Sequence, residues 1–278
     1  KRMILLTEYF EFQDHNRKLE VIESIKENSS LEQIEQILLF SDRVSEEDIK
    51  ILEKLPKVKI IKMPHRCRFS DLFSYANNNL SGKKCIVCNN DISFTDSLEH
   101  IQETNIDNMF LCLTRWDLLE DGSIEFKQPK QSRKHSQDSW IFKAPLPQKM
   151  INDGDIFFGK PGCDNMIAYL AVVSGMLVLN PSELIISKHH HLSNSRNYKQ
   201  NKRGTPSNSE KVGHHSLYMN VGTSKEILYN TENLVYKLQR AWKPKDKVFH
   251  GNKAVSKAIE LQEELTPLWR QTILRFKY

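Results

Sequence analysis

Two short clusters, Asn89-Asn90-Asp91 and His189-His190-His191, bring metal-capable groups together at widely separated points of the chain. A carboxylate flanked by amides offers hard oxygen ligands for a divalent cation, and through that cation a grip on a diphosphate. Imidazole is the commonest side-chain ligand for many such ions. Each cluster follows a short apolar run fit for a buried strand: Lys83-Lys84-Cys85-Ile86-Val87-Cys88 before the first, Leu184-Ile185-Ile186-Ser187-Lys188 before the second. Ligands of open α/β sheets sit in the crevice outside the carboxyl ends of strands, so two strand-end clusters suggest one site built from both. Alternate residues of an extended segment share a face, which puts His189 and His191 together and His190 opposite them. Asn and Asp are also ordinary turn residues, and three consecutive histidines also suit a solvated stretch.

The elements needed to position these groups follow an alternating order. Met3 to Tyr9, Gln36 to Phe40, Val58 to Met63 and the run into Asn89 are strand candidates. Between them, Asn16 to Glu27 has helical spacing in Leu19, Ile22 and Ile25, an acidic first turn opens a helix at Ser45, and Ser70 to Leu80 places Leu72, Phe73 and Ala76 on one side. Strand alternating with helix implies a parallel sheet with right-handed crossovers. Further on, Met109 to Thr114, Ser139 to Phe142, Asp155 to Gly159, Met176 to Leu179 and Leu184 to Ser187 read as strands. Gly162 to Ser174 reads as a helix, Asn194 to Gly213 as a polar loop, and Thr231 to Gln239 and Ala254 to Phe276 as amphipathic helices.

Composition narrows the functional classes. The 278 residues suffice for one large α/β domain with a helical appendage. A formal charge of +5, with basic residues densest between Arg196 and Lys211, favours a small anionic ligand over nucleic acid. There is no transmembrane run and no signal-peptide pattern, so a cytoplasmic setting is expected, whether or not the chain is part of a longer one. The five cysteines form an odd set in apolar context, which reads as reduced thiols, and Cys85 and Cys88 lack the second pair of a zinc site.

The sequence Asn89-Asn90-Asp91-Ile92-Ser93-Phe94, ending the fourth strand of a βαβ series, resembles the metal-binding Asp-x-Asp signature of GT-A type glycosyltransferases, with Asn89 in place of the first acid. The resemblance spans residues 3 to 198. It implies a GT-A-like, Rossmann-related α/β fold with a mixed, centrally parallel sheet flanked by helices. The domains expected are 1–198, binding nucleotide-sugar and catalysing, and 199–278, a polar loop with a C-terminal helical extension. The activity implied is metal-assisted transfer of a sugar from a UDP- or GDP-sugar to a hydroxyl of a glycan or glycoconjugate, with inversion.

Residue by residue, the resemblance implies Mn2+ or Mg2+ on Asp91 with His189 or His191. It sets the run Leu6-Thr7-Glu8-Tyr9-Phe10 at the nucleotide base, with Thr7 and Tyr9 as its contacts, and Arg17 and Asp71 on the donor side. Asn89 or Asn90 can reach the ribose or a metal-bound water, Arg196 can pair with a phosphate, and Trp140 can stack at the site edge, whereas Trp116 suits the core. Asp164, in Gly159-Lys160-Pro161-Gly162-Cys163-Asp164-Asn165, sits where inverting enzymes carry their base; the same position suits a helix N-cap. Asp138 is the rival acid. Arg66 and Arg68 either pair with Asp71 or line the phosphate crevice, and His214-His215 reads as a surface feature. Two other classes stay open: a non-catalytic nucleotide-sugar-binding protein and a metal-dependent nucleotidyltransferase.

Overall fold

The computed structural model describes residues 2–126, 136–160 and 162–193, together with the backbone of two later strands. The first half alternates β1 (Met3–Glu8), α1 (His15–Ser30), β2 (Ile34–Ser41), α2 (Glu46–Leu52), β3 (Val58–Lys62), α3 (Phe69–Asn79) and β4 (Lys84–Cys88). Asp14 and Ser45 cap the first two helices by accepting backbone N–H groups, as short polar side chains do at helix starts. The chain continues through β5 (Ile92–Phe94), α4 (Glu99–Glu103), β6 (Met109–Leu113), β7 (Trp116–Leu118), β8 (Ile124–Glu125), β9 (Ser139–Lys143), α5 (Gln148–Asn152), α6 (Cys163–Val173), β10 (Leu177–Leu179) and β11 (Ser187–His189).

Seven strands form the main sheet in the order β10-β6-β9-β4-β1-β2-β3. All pair in parallel except β9, which runs antiparallel to both β4 and β6. This is the mixed, centrally parallel α/β architecture expected. Strand alternation splits the core into two layers. Leu6, Phe40, Phe110, Trp140 and Phe142 pack with α3 and α6 on one face, and Leu5, Leu39, Leu111 and Ile141 with α1 on the other. Cys85 and Cys88 join opposite layers, and all five cysteines are free and buried.

Beside the main sheet lies a four-stranded one, β5-β11-β7-β8, made of strands two or three residues long. Here β11 pairs antiparallel with β5 and parallel with β7. Helix α1 fastens this small sheet to the large one. Its buried face carries Val21 and Ile25 but also Arg17, Ser24 and Asn28, while Leu19, expected on the apolar side, is 50% exposed. Asn28 grips β5 twice: its Nδ2 donates to Ile92 O at 2.8 Å and its Oδ1 accepts from Phe94 N at 3.0 Å. Ser24 Oγ donates to Asn90 O at 2.6 Å.

Three expected elements differ. Asp155 to Gly159 is not a strand; its one ladder contact is an isolated bridge from Phe157 to Arg68. Leu184 to Ser187 begins as a turn, because Pro181 O accepts from both Leu184 N and Ile185 N, and the strand starts only at Ser187. The end of the helix expected over Thr231 to Gln239 is strand: Lys237–Arg240 (β13) pairs antiparallel with Leu217–Asn220 (β12). The remainder of that C-terminal helical part, the Asn194 to Gly213 loop and His214-His215 lie outside the described residues.

Replacing Asn28 with Ala strips partners from a buried N–H and a buried C=O, each worth about 1–3 kcal/mol when left unsatisfied. We expect N28A to lower the unfolding free energy by about 2–4 kcal/mol in urea titration. A loss under about 0.5 kcal/mol, the usual range of a neutral surface change, would mean α1 does not hold β5.

Candidate functional site

The carboxyl ends of β1 and β4, adjacent in the sheet but far apart in chain order, open into a cleft of about 450 Å³. The chain lays β2 and β3 to one side of β1 and β4 to the other. A crevice therefore forms where the order reverses, the usual ligand position in open α/β sheets. Asp91 stands between β4 and β5, after Asn89 and Asn90, and the β5–β11 ladder places His189 opposite Ile92, one residue further on. His190 N donates to Asp91 O at 2.9 Å, locking the strand end to the acid.

One ligand atom each from Asp91, His189 and His191 lies within 4.8 Å of the other two. The two imidazoles stack 5.1 Å apart and nearly parallel, on the shared face that alternation requires. His190 points away; its Nε2 lies 2.8 Å from Ser93 Oγ and 3.5 Å from Glu27 Oε2. The histidine run thus serves two purposes, with His190 anchoring the strand that carries the other two.

His189 is held from both sides. Its Nδ1 lies 2.9 Å from Asp117 Oδ1 and its Nε2 3.1 Å from Asp91 Oδ2. The parallel register of β7 and β11 sets Asp117 opposite His189. A carboxylate behind an imidazole fixes its tautomer and leaves the other nitrogen facing the ligand. Burial disfavours the imidazolium, but Asp91 and the Asp117 bond outweigh it and raise the His189 pKa. Burial alone would raise Asp91 as well; His189 and the Arg17 guanidinium hold it far below the usual carboxylate range. Arg17 donates to Asp91 Oδ2, to His190 O and, at 2.9 Å, to Glu20.

Asp91 Oδ1 is buried and has no hydrogen-bond partner among the described residues. An unsatisfied carboxylate oxygen beside two imidazoles suits a divalent cation, and the nitrogen ligands favour Mn2+ over Mg2+. The residues fit the group. A cation bound there would displace whatever proton His189 holds at Nε2, so its affinity would fall as pH is lowered.

The opposite wall carries a second pair of acids. Asp138 stands at the start of β9, whose antiparallel course brings it to the ends of β4 and β6. Its Oδ1 accepts from Asn89 Nδ2 at 2.7 Å and its Oδ2 from Arg115 Nη1 at 2.6 Å. Asp164 lies in the first turn of α6, partly exposed, with its Oδ2 accepting from Gln137 N at 3.0 Å. It is not the N-cap: that position is Gly162, whose φ of +88° suits a residue without Cβ. Burial, then the nearby charge of Asp138, push Asp164 up to about 7.

Of the residues expected at the site, Arg17, Asn89, Asn90, Asp91, Asp138, Asp164, His189 and His191 line this cleft. Four expected there do not. Thr7 is buried and donates to Cys88 O at 2.7 Å, tying β1 to β4. Tyr9 is fully buried and donates to Asp48 at 2.9 Å. Asp71 caps α3, accepting from Arg68 N at 2.8 Å. Trp140 is core, edge-on to Phe69 at 4.8 Å, since its strand is interior to the sheet. Trp116, assigned to the core, is only partly buried and stacks on Phe126.

Neither arginine after β3 pairs its guanidinium with Asp71; Arg66 reaches Glu8 at 3.3 Å and Arg68 reaches Asp155. Arg196 lies outside the described residues. Sequence reasoning passes over Arg115 and Asp117 and takes Glu8 only as part of the run Leu6 to Phe10. Glu8 closes β1, beside the end of β4 that precedes Asp91, and that placement is the available signal. Arg115 and Asp117 flank a tryptophan in a three-residue strand that no periodicity reveals.

No family model matches the chain and no curated protein matches it in sequence. Among solved structures, S. aureus TarS 1-349 aligns at TM-score 0.43 and 14% identity, covering 66% of this chain and 61% of that one. The mannosyltransferase PcManGT from Pyrobaculum calidifontis, in complex with GDP-Man and Mn2+, aligns at TM-score 0.45 and 9% identity, covering 68% and 56%. A 4-diphosphocytidyl-2C-methyl-D-erythritolsynthase from Anaerococcus prevotii aligns at TM-score 0.37 and 16% identity, covering 55% and 74%. The matched region spans less than two thirds of the TarS and PcManGT chains.

The raised Asp164 has a stability consequence. Between its ordinary value of 3.8 and about 7, the folded chain keeps a proton that the unfolded chain has lost. This contribution is therefore fully present at low pH and fades as pH rises through about 7. Asp164→Asn removes the titration and keeps an oxygen for Gln137 N. Thermal melts should show D164N more stable than the parent at pH 8, with the gap closing toward pH 5; a constant gap would place Asp164 in ordinary solvent.

Proposed function

We propose that this chain transfers a sugar from a nucleoside diphosphate donor to a hydroxyl of a glycan or glycoconjugate, with inversion. One observation carries the reading: a carboxylate poised near neutrality and a cation-capable Asp–His–His cluster face each other across a single cleft. Bound Mn2+ or Mg2+, held by Asp91, His189 and His191, would neutralise charge developing on the departing diphosphate.

The chain's own groups supply the rest. Asp164 takes the acceptor's hydroxyl proton at a carboxylate oxygen; a pKa near working pH suits that task. Asp138, fixed by Arg115 and Asn89, keeps the Asp164 pKa up and fixes the geometry of the wall beside it. Asn89 thus spends its amide on Asp138 and leaves Asp91 as the acid of the signature. Arg17 and Lys160 border the cleft with cationic groups suited to phosphate oxygens. Asn90 is the amide placed for a ribose hydroxyl.

Incubation with a panel of nucleotide sugars plus Mn2+ should release the nucleoside diphosphate. Pyrophosphate released from nucleoside triphosphates would favour nucleotidyl transfer, and tight binding without turnover a non-catalytic protein. D164N should cut turnover by about 10²–10⁴-fold, the usual worth of a general base, with donor affinity little changed. Turnover of the parent should rise with pH through about 7. Asp91→Ala should abolish metal-dependent donor binding in calorimetry; retained binding would remove Asp91 from the cation site.

A further inference from the structure

The strand order gives the cleft a direction. If the diphosphate lies at Asp91, His189 and His191, the sugar must extend toward Asp164 on the β9 and α6 side. The nucleoside must then extend the other way, past β1, where the cleft is lined by Glu8, Phe10, Phe12 and Arg66. None of these four has a part in the chemistry described above.

Their arrangement is that of a base-reading pocket. Phe10 and Phe12 lie 4.5 Å apart, centroid to centroid, and both are partly exposed, offering flat apolar area for a heterocycle. Glu8 is 5% exposed and accepts from Arg66 Nε at 3.3 Å. Arg66 is itself held: its Nη2 donates to Phe158 O at 2.8 Å, and its guanidinium lies 5.3 Å from the Phe157 ring centre. Burial raises Glu8 to about 7 against the pull of Arg66, so above that pH a donor and a two-oxygen acceptor stand side by side, beside an aromatic surface.

Resting on the donor reading above, we infer that Glu8 and Arg66 read the base of the donor nucleotide and select guanine over uracil. Guanine presents in sequence a carbonyl oxygen, a ring N–H and an exocyclic amine. The guanidinium of Arg66 matches the first, and the two carboxylate oxygens of Glu8 match the adjacent N–H donors. Uracil presents one N–H between two carbonyls, so one Glu8 oxygen would face a carbonyl and repel it. Adenine and cytosine lack the adjacent pair of N–H donors. A site built to hydrogen-bond its ligand rejects one that leaves its polar groups unmatched far better than an apolar pocket does.

Calorimetry with GDP, UDP, ADP and CDP in the presence of Mn2+ tests the inference without any turnover. The parent should bind GDP at least about 10-fold tighter than UDP, the lower end of what one bidentate match discriminates. Glu8→Gln replaces one acceptor oxygen with a donor and should weaken GDP by about 10- to 100-fold while UDP changes little. Arg66→Gln should narrow the preference in the same direction, which covers the case of a misfolded E8Q. Preference for UDP, or equal weakening of all four by E8Q, would overturn base reading and leave Glu8–Arg66 a structural ion pair. Equal affinities for all four would sink the base inference alone, whereas no binding of any diphosphate would sink the donor reading with it.

Discussion

The antiparallel ladder between Ile92–Phe94 and Ser187–His189 is the constraint on which the site depends. It is three residues long and cannot hold itself together in water. Three anchors support it: Asn28 and Ser24 from α1, the Glu27–Ser93–His190 cluster, and β7 on the far edge. Burial raises the Glu27 pKa, but His190, Lys188 and Ser93 outweigh it and bring the group down to about 2, so it stays charged and keeps its grip at any working pH. Beyond the ladder, Glu20 accepts from Ser193 N at 2.7 Å, so α1 holds the histidine segment on both flanks.

Charge balance links the two walls of the cleft. Asp138 pairs with Arg115, Arg115 reaches Asp117 at 3.4 Å, Asp117 backs His189, and His189 shares Asp91 with Arg17. Buried charges are costly unless each finds a partner, and here the signs alternate along the row. Asp164 is the exception. It faces Asp138, and burial first, then that like-charge proximity, raise its pKa. The cleft therefore keeps one carboxylate firmly paired and another close to neutrality, a division of labour suited to proton transfer.

Much of this was legible in the sequence because it follows from simple periodicities. The parallel strands announce themselves as β-branched runs separated by helical spacing, and the period of two puts His189 with His191. What escaped reading lies in very short elements. Strands of two or three residues, such as Trp116–Leu118, carry no repeat long enough to detect. The polar face of α1 was hidden for a different reason. Arg17, Ser24 and Asn28 look like solvent residues until the backbone of β5 is there to accept them. Trp140 and Tyr9 illustrate the converse: polar neighbours set the first at the site edge and the resemblance sets the second at the base, but interior strand position buries the one and a partner at Asp48 holds the other inside.

The most direct test is anomalous diffraction at the manganese edge from crystals soaked with Mn2+ and a nucleoside diphosphate. A peak among the side chains of Asp91, His189 and His191 is the predicted result. No peak there, with Asp91 still occupied by Arg17, or a cation bound elsewhere in the cleft, would contradict it.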